Sequence, residues 1–361
     1  MPASPPIAPP LKGLDRREAL AALFAFATLT ATPGCAKRSD AKGNAGEVLR
    51  VGDQRGAIQA LMNAAGVLDG LAYKIEWVLL PAAAPLLEAL SAGAIDVGGV
   101  GGAPFAFAIG NGAPIKAIVA SRLREAAPEV GKSSAIIVRK DSTLRAVADL
   151  RGRKLATIRG SSGHDVALRL LERAKVDPKS VDFVFLNNDD AKAALAAGHI
   201  DAWSTWGPYV GIAVEENGDR VLANASALVT KGQIAGFEVA SEAAIRDKSD
   251  LLRDFLGRIV KARAWVLKNP EAYVQEIAKE TGVPAKVARY NVAYALSTEY
   301  APIDAALIED QRKTLERYYA AGVIAVMPKV TADGYSSAFN DITAKASVAD
   351  AGRRSFGAGV R

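Results

Sequence analysis

Sulfur and imidazole are scarce in this chain: its 361 residues hold one cysteine, Cys35, and two histidines, His164 and His199. A lone cysteine excludes an internal disulfide. With so few imidazoles and thiols, no spacing of the kind that ligates a metal occurs, and no cofactor is expected. A stripe of basic residues is also missing. The formal charge is +6 and the Lys and Arg residues are scattered, which gives nucleic-acid binding no footing. A mild positive field does favour small anionic ligands. Half of the residues are apolar and the charges are mixed, so the length allows two α/β lobes with real cores.

The first 46 residues differ in kind. Lys12, Arg16 and Arg17 precede the apolar run Ala19 to Ala31, and Thr32-Pro33-Gly34-Cys35 marks a break. That run is too short for a permanent membrane helix and has the positive, apolar, small order of an export signal. Asp15-Arg16-Arg17-Glu18-Ala19-Leu20 resembles a twin-arginine signal with Ala19 in place of the usual Phe. Cys35 after Gly34 resembles a lipobox, with Thr32 where Leu is common. Residues 1–35 are therefore expected to be an export signal with lipidation at Cys35, and 36–47 a tether. A periplasmic location follows, with the membrane reached only through a lipid anchor.

From Val48 onward, apolar strands alternate with helical stretches: Val48 to Val51, Tyr73 to Leu80, Ile95 to Val97, Pro114 to Ala120 and Ser134 to Val138 read as strands. A polar break at Lys140 to Thr143 opens a second set, with strands Lys154 to Ile158, Val181 to Phe185, Ile200 to Ala202 and Arg220 to Leu222. Gln233 to Ala240 reads as a returning strand. The rest is helical, with Leu251, Leu252, Phe255, Leu256, Ile259 and Val260 on one face. The expected fold class is α/β, two lobes each built on a mostly parallel sheet flanked by helices. Lobe 1 takes residues 48–140 and 232–340, lobe 2 takes 141–231, and 341–361 form a tail.

Gly160-Ser161-Ser162-Gly163-His164 joins a strand to a helix start. Free backbone N–H groups, two hydroxyls and an imidazole at the positive end of a helix dipole make a seat for a small anion. The run Gly98 to Pro104 reads as a loop whose N–H groups can approach a ligand closely. Arg122, following the strand that ends at Ala120, is placed to project into a cleft.

Several segments together resemble the substrate-binding proteins of bacterial ABC importers for aliphatic sulfonates, in the nitrate/sulfonate/taurine group. They are Gly52-Asp53-Gln54-Arg55-Gly56, Glu76 to Pro81, Leu86 to Leu90, Gly93 to Gly98, Gly160 to His164 and Asp201 to Tyr209. The resemblance covers roughly residues 48 to 240. It implies a type II periplasmic-binding fold whose cleft closes on a small organic anion. It also implies a monomer that delivers this ligand to an ABC permease and its ATPase subunit, without catalysis. The ligand-binding residues it suggests, beside the anion seat of Ser161, Ser162 and His164, are Gln54, Arg55 and the backbone of Gly99, Val100, Gly101 and Gly102, with Trp203 and Trp206 as apolar walls; Arg122 joins them from its place after the strand.

Three positions depart from the family's pattern. Val100 and Gly102 stand where a hydroxyl and a carboxylate are common, and Gly207 stands where an acidic residue is common. The expectation is a wider, less polar pocket for a bulkier aryl or longer alkyl sulfonate. The alternatives are a nitrate- or taurine-type anion binder, or an enzyme of the pyrimidine-precursor-synthase kind. The latter lacks its cysteine-rich cluster here, and His199, at a helix end, reads as a surface residue.

Overall fold

A computed structural model describes residues 46–124, 129–230, 232–327 and 332–343. The export signal, Cys35 and most of the tether and tail lie outside the described residues.

The first half of the described chain runs β1 (Val48–Gln54), α1 (Ala57–Ala64), β2 (Lys74–Leu80), α2 (Ala83–Ser91), β3 (Val97–Gly101), α3 (Gly102–Gly110), β4 (Ile115–Leu123), α4 (Val130–Ser133) and β5 (Ser134–Val138). It continues through β6 (Lys154–Thr157), α5 (Ser162–Arg173), β7 (Asp182–Phe185), α6 (Asn188–Ala196), β8 (Ala202–Trp206), α7 (Tyr209–Glu215) and β9 (Arg220–Asn224). The return comprises β10 (Ile234–Ser241), α8 (Glu242–Asp247), α9 (Ser249–Val266), α10 (Pro270–Thr281), α11 (Ala285–Ser297), β11 (Thr298–Ala301) and α12 (Ala305–Ala320).

These strands make two sheets, ordered β11-β4-β10-β3-β1-β2 and β7-β6-β8-β5-β9. Both are mixed, which corrects the expectation of mostly parallel sheets. β1 lies parallel to β2 and β3, and β6 lies parallel to β7 and β8. β10 runs antiparallel to β3 and β4, and β5 antiparallel to β8 and β9. A strand reached through a crossover helix must return in the same direction. β5 and β10 are the strands on which the chain passes from one sheet to the other, so they are free of that constraint.

Each sheet is covered on both faces. Leu49 and Val51 of β1 pack with the apolar sides of α1, α9 and α10, while Leu86, Leu90 and Phe105 build the cluster on the opposite face. All six residues anticipated on the face of α9 are buried. Burying each contributes about 1.5–3 kcal/mol, which anchors the 18-residue helix on the sheet. The second sheet has its own clusters, around Leu155 and Leu171 and around Trp203 and Val210. A small apolar group of Ala103, Leu168 and Tyr318 ties α3, α5 and α12 together.

Candidate functional site

A cavity of about 1250 Å³ opens where the two sheets' strand ends and loops face each other, lined from both. Such a position follows from the topology, since ligands in α/β sheets sit beyond strand ends.

The Gly160–His164 segment forms one wall. Gly160 takes φ 71°, a left-handed value that favours glycine, and a Cβ there would strike the Phe107 ring. Ser161 is the N-cap of α5: its Oγ accepts from the His164 amide at 3.2 Å, and its carbonyl accepts from Asp165 at 3.1 Å. The amides of Ser162 and Gly163 are orphan donors of the helix start among the described residues. The Ser162 Oγ carries no hydrogen-bond partner among the described residues. It faces Gly101 so closely that a Cβ on Gly101 would collide with it.

His164 does not share in this. It is fully buried, its Nδ1 accepts from the Gly160 amide at 3.1 Å, and its ring packs against Phe183, Phe185 and Tyr318. Burial, with help from nearby Arg159, pushes its pKa down to about 4. His164 is thus a neutral core residue that braces the seat and does not line the cavity.

The floor comes from β1, β3 and β10. Val97, Gly99 and Gly101 alternate on one side of β3 and Gly98 and Val100 on the other. The anticipated loop at Gly98 to Pro104 is therefore strand as far as Gly101, after which α3 begins at once. Gly99 and Gly101 present bare backbone to the cavity. Val100 belongs to the apolar cluster with Leu86 and Phe105. Gln54 lines the cavity and donates its Nε2 to the Gly99 carbonyl at 2.8 Å. Arg55 adopts φ 59°, lies 5.0 Å over the Tyr209 ring and donates to the Tyr209 hydroxyl, linking the first sheet to α7.

Two anticipated residues are elsewhere. β4 runs to Leu123, so Ser121 and Leu123 face the cavity and Arg122 faces away, donating to Asp304 at 2.6 Å. Trp203 is fully buried in the core of the second sheet. Trp206, an odd number of residues further along β8, points to the other face and lines the cavity. Gly102 and Gly207, two of the positions behind the expectation of a wider pocket, are closely surrounded. A Cβ at Gly102 would meet Ile234 and Gln311, and one at Gly207 would strike the Tyr290 and Asn291 backbone, so neighbours already fill both spaces.

The cavity also holds charges that motif reading passed over. Asp53 is fully buried and accepts from the amides of Ile58 and Gln59 at 3.1 and 2.8 Å, which caps α1; burial still raises its pKa. Glu238, directly opposite Gly99 across β10 and β3, is buried and accepts from the Tyr300 hydroxyl at 2.7 Å. Arg263 of α9 is buried over the rings of Tyr294 and Tyr300, at 5.6 and 5.5 Å. Arg169 reaches the Leu228 carbonyl and Gln233, and Arg317 pairs with Asp165 at 2.7 Å across α12 and α5. The signal was present: Glu238 interrupts an apolar strand, and Arg263 lies four residues after Ile259 on the apolar stripe of α9. No group of three metal-ligating side chains occurs among the described residues.

Two mixed α/β sheets facing each other across a ligand-sized cleft define the class: the chain has the periplasmic-binding-protein fold. Residues 78–273 match the family described as NMT1/THI5 like, and the chain belongs to that family. It is 31% identical, over 76% of its length and 84% of the relative's, to an Escherichia coli (strain K12) protein named for binding aliphatic sulfonates. The solved structure of the periplasmic aliphatic sulphonate binding protein SsuA from Escherichia coli is similar at TM-score 0.67 and 30% identity, covering 79% of this chain and 90% of that one. The alkanesulfonate-binding protein SsuA from Xanthomonas axonopodis pv. citri, bound to MOPS, is similar at TM-score 0.69 and 28% identity, covering 83% and 97%.

Proposed function

We propose that this chain is the extracytoplasmic binding component of an ABC importer and that it captures an organic sulfonate. The observation that carries this reading is the open start of α5. Ser161 and Ser162 line the cavity at the start of α5, and the Ser162 hydroxyl, beside the bare backbone of Gly101, has no hydrogen-bond partner among the described residues. Neutral donors and a helix dipole suit a permanent monoanion, because no buried ion pair has to be desolvated to hold it. The names of the relatives supply the ligand class. The same reading puts the protein in the periplasm as a monomer, anchored through a lipid on Cys35, where it hands ligand to a permease and its ATPase. It acts by binding, and chemistry on the ligand belongs to other proteins.

Thermal denaturation of the protein lacking residues 1–35, against sulfonates, sulfate esters, nitrate and carboxylates, tests the ligand class. Sulfonates should raise the melting temperature in a concentration-dependent way. Stabilisation by nitrate or carboxylates alone would reject the sulfonate reading. Intact-mass measurement of the membrane fraction tests the anchor, since a soluble product that retains Met1 rules it out.

A further inference from the structure

The described cavity has a second charged region that the anion seat does not use. Glu238 is 4% exposed and Arg263 8% exposed, yet both line the cavity. Glu238 spends Oε1 on the Tyr300 hydroxyl, and its Oε2 has no donor among the described residues. The same tyrosine supports Arg263, whose guanidinium lies over Tyr294 and Tyr300 and has no carboxylate within ion-pair distance among the described residues. Asp53 is engaged by the amides at the start of α1, and its charge opposes that of Glu238. Buried charges are normally paired, since an uncompensated one is costly. Here a carboxylate and a guanidinium share one tyrosine and line a ligand cavity without forming a direct ion pair with each other.

Their position relative to the anion seat is set by β3. The carboxylate oxygens of Glu238 lie 3.3 and 3.4 Å from where a Gly99 Cβ would be, and the Ser162 hydroxyl lies against the same site on Gly101. Gly99 and Gly101 are alternate residues on one face of a strand, about 7 Å apart. A ligand a few carbon atoms long spans that distance over bare backbone.

We propose that Glu238 and Arg263 form a second subsite, which reads an amino-acid-type group, an ammonium beside a carboxylate, on the tail of the sulfonate held at α5. The ammonium donates to Glu238 Oε2 and the carboxylate accepts from Arg263. Burial raises the pKa of Glu238, and the Tyr300 hydroxyl and the nearby Arg263 offset this only in part. This inference rests on the sulfonate reading above and narrows it from sulfonates in general to 2-amino-ω-sulfoalkanoates.

Titration calorimetry with propane-1-sulfonate, 3-aminopropane-1-sulfonate, 3-sulfopropanoate and homocysteate tests it. Homocysteate should bind most tightly, by roughly tenfold or more over each of the others, since each lacks at least one charge-assisted contact. Glu238→Gln should weaken homocysteate and the aminosulfonate by roughly ten- to a hundredfold and leave propane-1-sulfonate within about threefold. If Glu238→Gln does not fold, Glu238→Asp, which keeps the charge but withdraws it, should weaken the same two ligands. Propane-1-sulfonate binding as tightly as homocysteate would overturn the proposal, as would equal weakening of all four ligands by Glu238→Gln. The aminosulfonate matching homocysteate would overturn the part given to Arg263. If none of the four binds, the sulfonate reading itself fails and the subsite falls with it.

Discussion

Replacing Ser162 with aspartate separates the binding role of the α5 start from its structural role. Ser162 is the first residue of α5, its hydroxyl is unpaired among the described residues, and the cavity lies in front of it. A carboxylate at this position faces the positive end of the helix dipole, which stabilises a helix by about 0.3–1 kcal/mol. Asp165 already stands one turn on, and like charges so spaced cost about 0.2–0.5 kcal/mol. The two oppose each other, so folding stability should stay within about 1 kcal/mol of the parent. Affinity behaves differently. Two like charges about 4 Å apart repel by about 4 kcal/mol at an effective dielectric near 20. Solvent and salt in an open cleft reduce this to roughly 2–3 kcal/mol, a loss of about 30- to 150-fold in affinity. Ser162→Asn has the same shape without the charge and should lose far less. Urea titration and titration calorimetry on both variants, with a sulfonate ligand, measure the two quantities. If Ser162→Asp and Ser162→Asn bind equally well, the anion does not sit at α5.

His164 should make stability pH-dependent. Its pKa is about 4 in the folded protein against 6.5 unfolded, so the unfolded chain takes up the proton first as pH falls. The stabilising contribution is whole above pH 6.5 and is lost progressively down to pH 4, amounting to about 3 kcal/mol. Glu238 and Asp53, with raised pKa values, push the opposite way, so the measurement is the difference between parent and His164→Phe across that window. A constant difference from pH 7 to pH 4 would refute the burial argument. Trp203→Ala should cost about 3–5 kcal/mol in stability, because it empties a fully buried core site, and should leave preference among ligand tails unchanged. Small-angle scattering should show compaction at saturating ligand, as expected if the units around the two sheets close as rigid bodies about the strands that join them; an unchanged profile counts against a hinge.

Local features were legible in the sequence. The apolar stripe of α9, the strand cores and the turn at Gly160 to His164 each depend on residues within a few positions, through side-chain periodicity and helix capping. The glycine face of β3 was legible in composition, although not as a strand, because glycine carries no periodic apolar signal. What a residue meets across the fold was not legible. Arg122 turns from the cavity to Asp304, 182 positions away, because β4 continues three residues past Ala120. Trp203 and Trp206 must point to opposite faces of β8, but only the packing of α6 and α7 decides which face is core. Glu238 and Arg263 are brought together by Tyr300 on the edge strand β11. Backbone geometry and hydrophobic period act over a few residues, so sequence alone determines them. The partners of a buried charge are set by strand register and by the direction in which a distant segment returns, which only the tertiary structure decides.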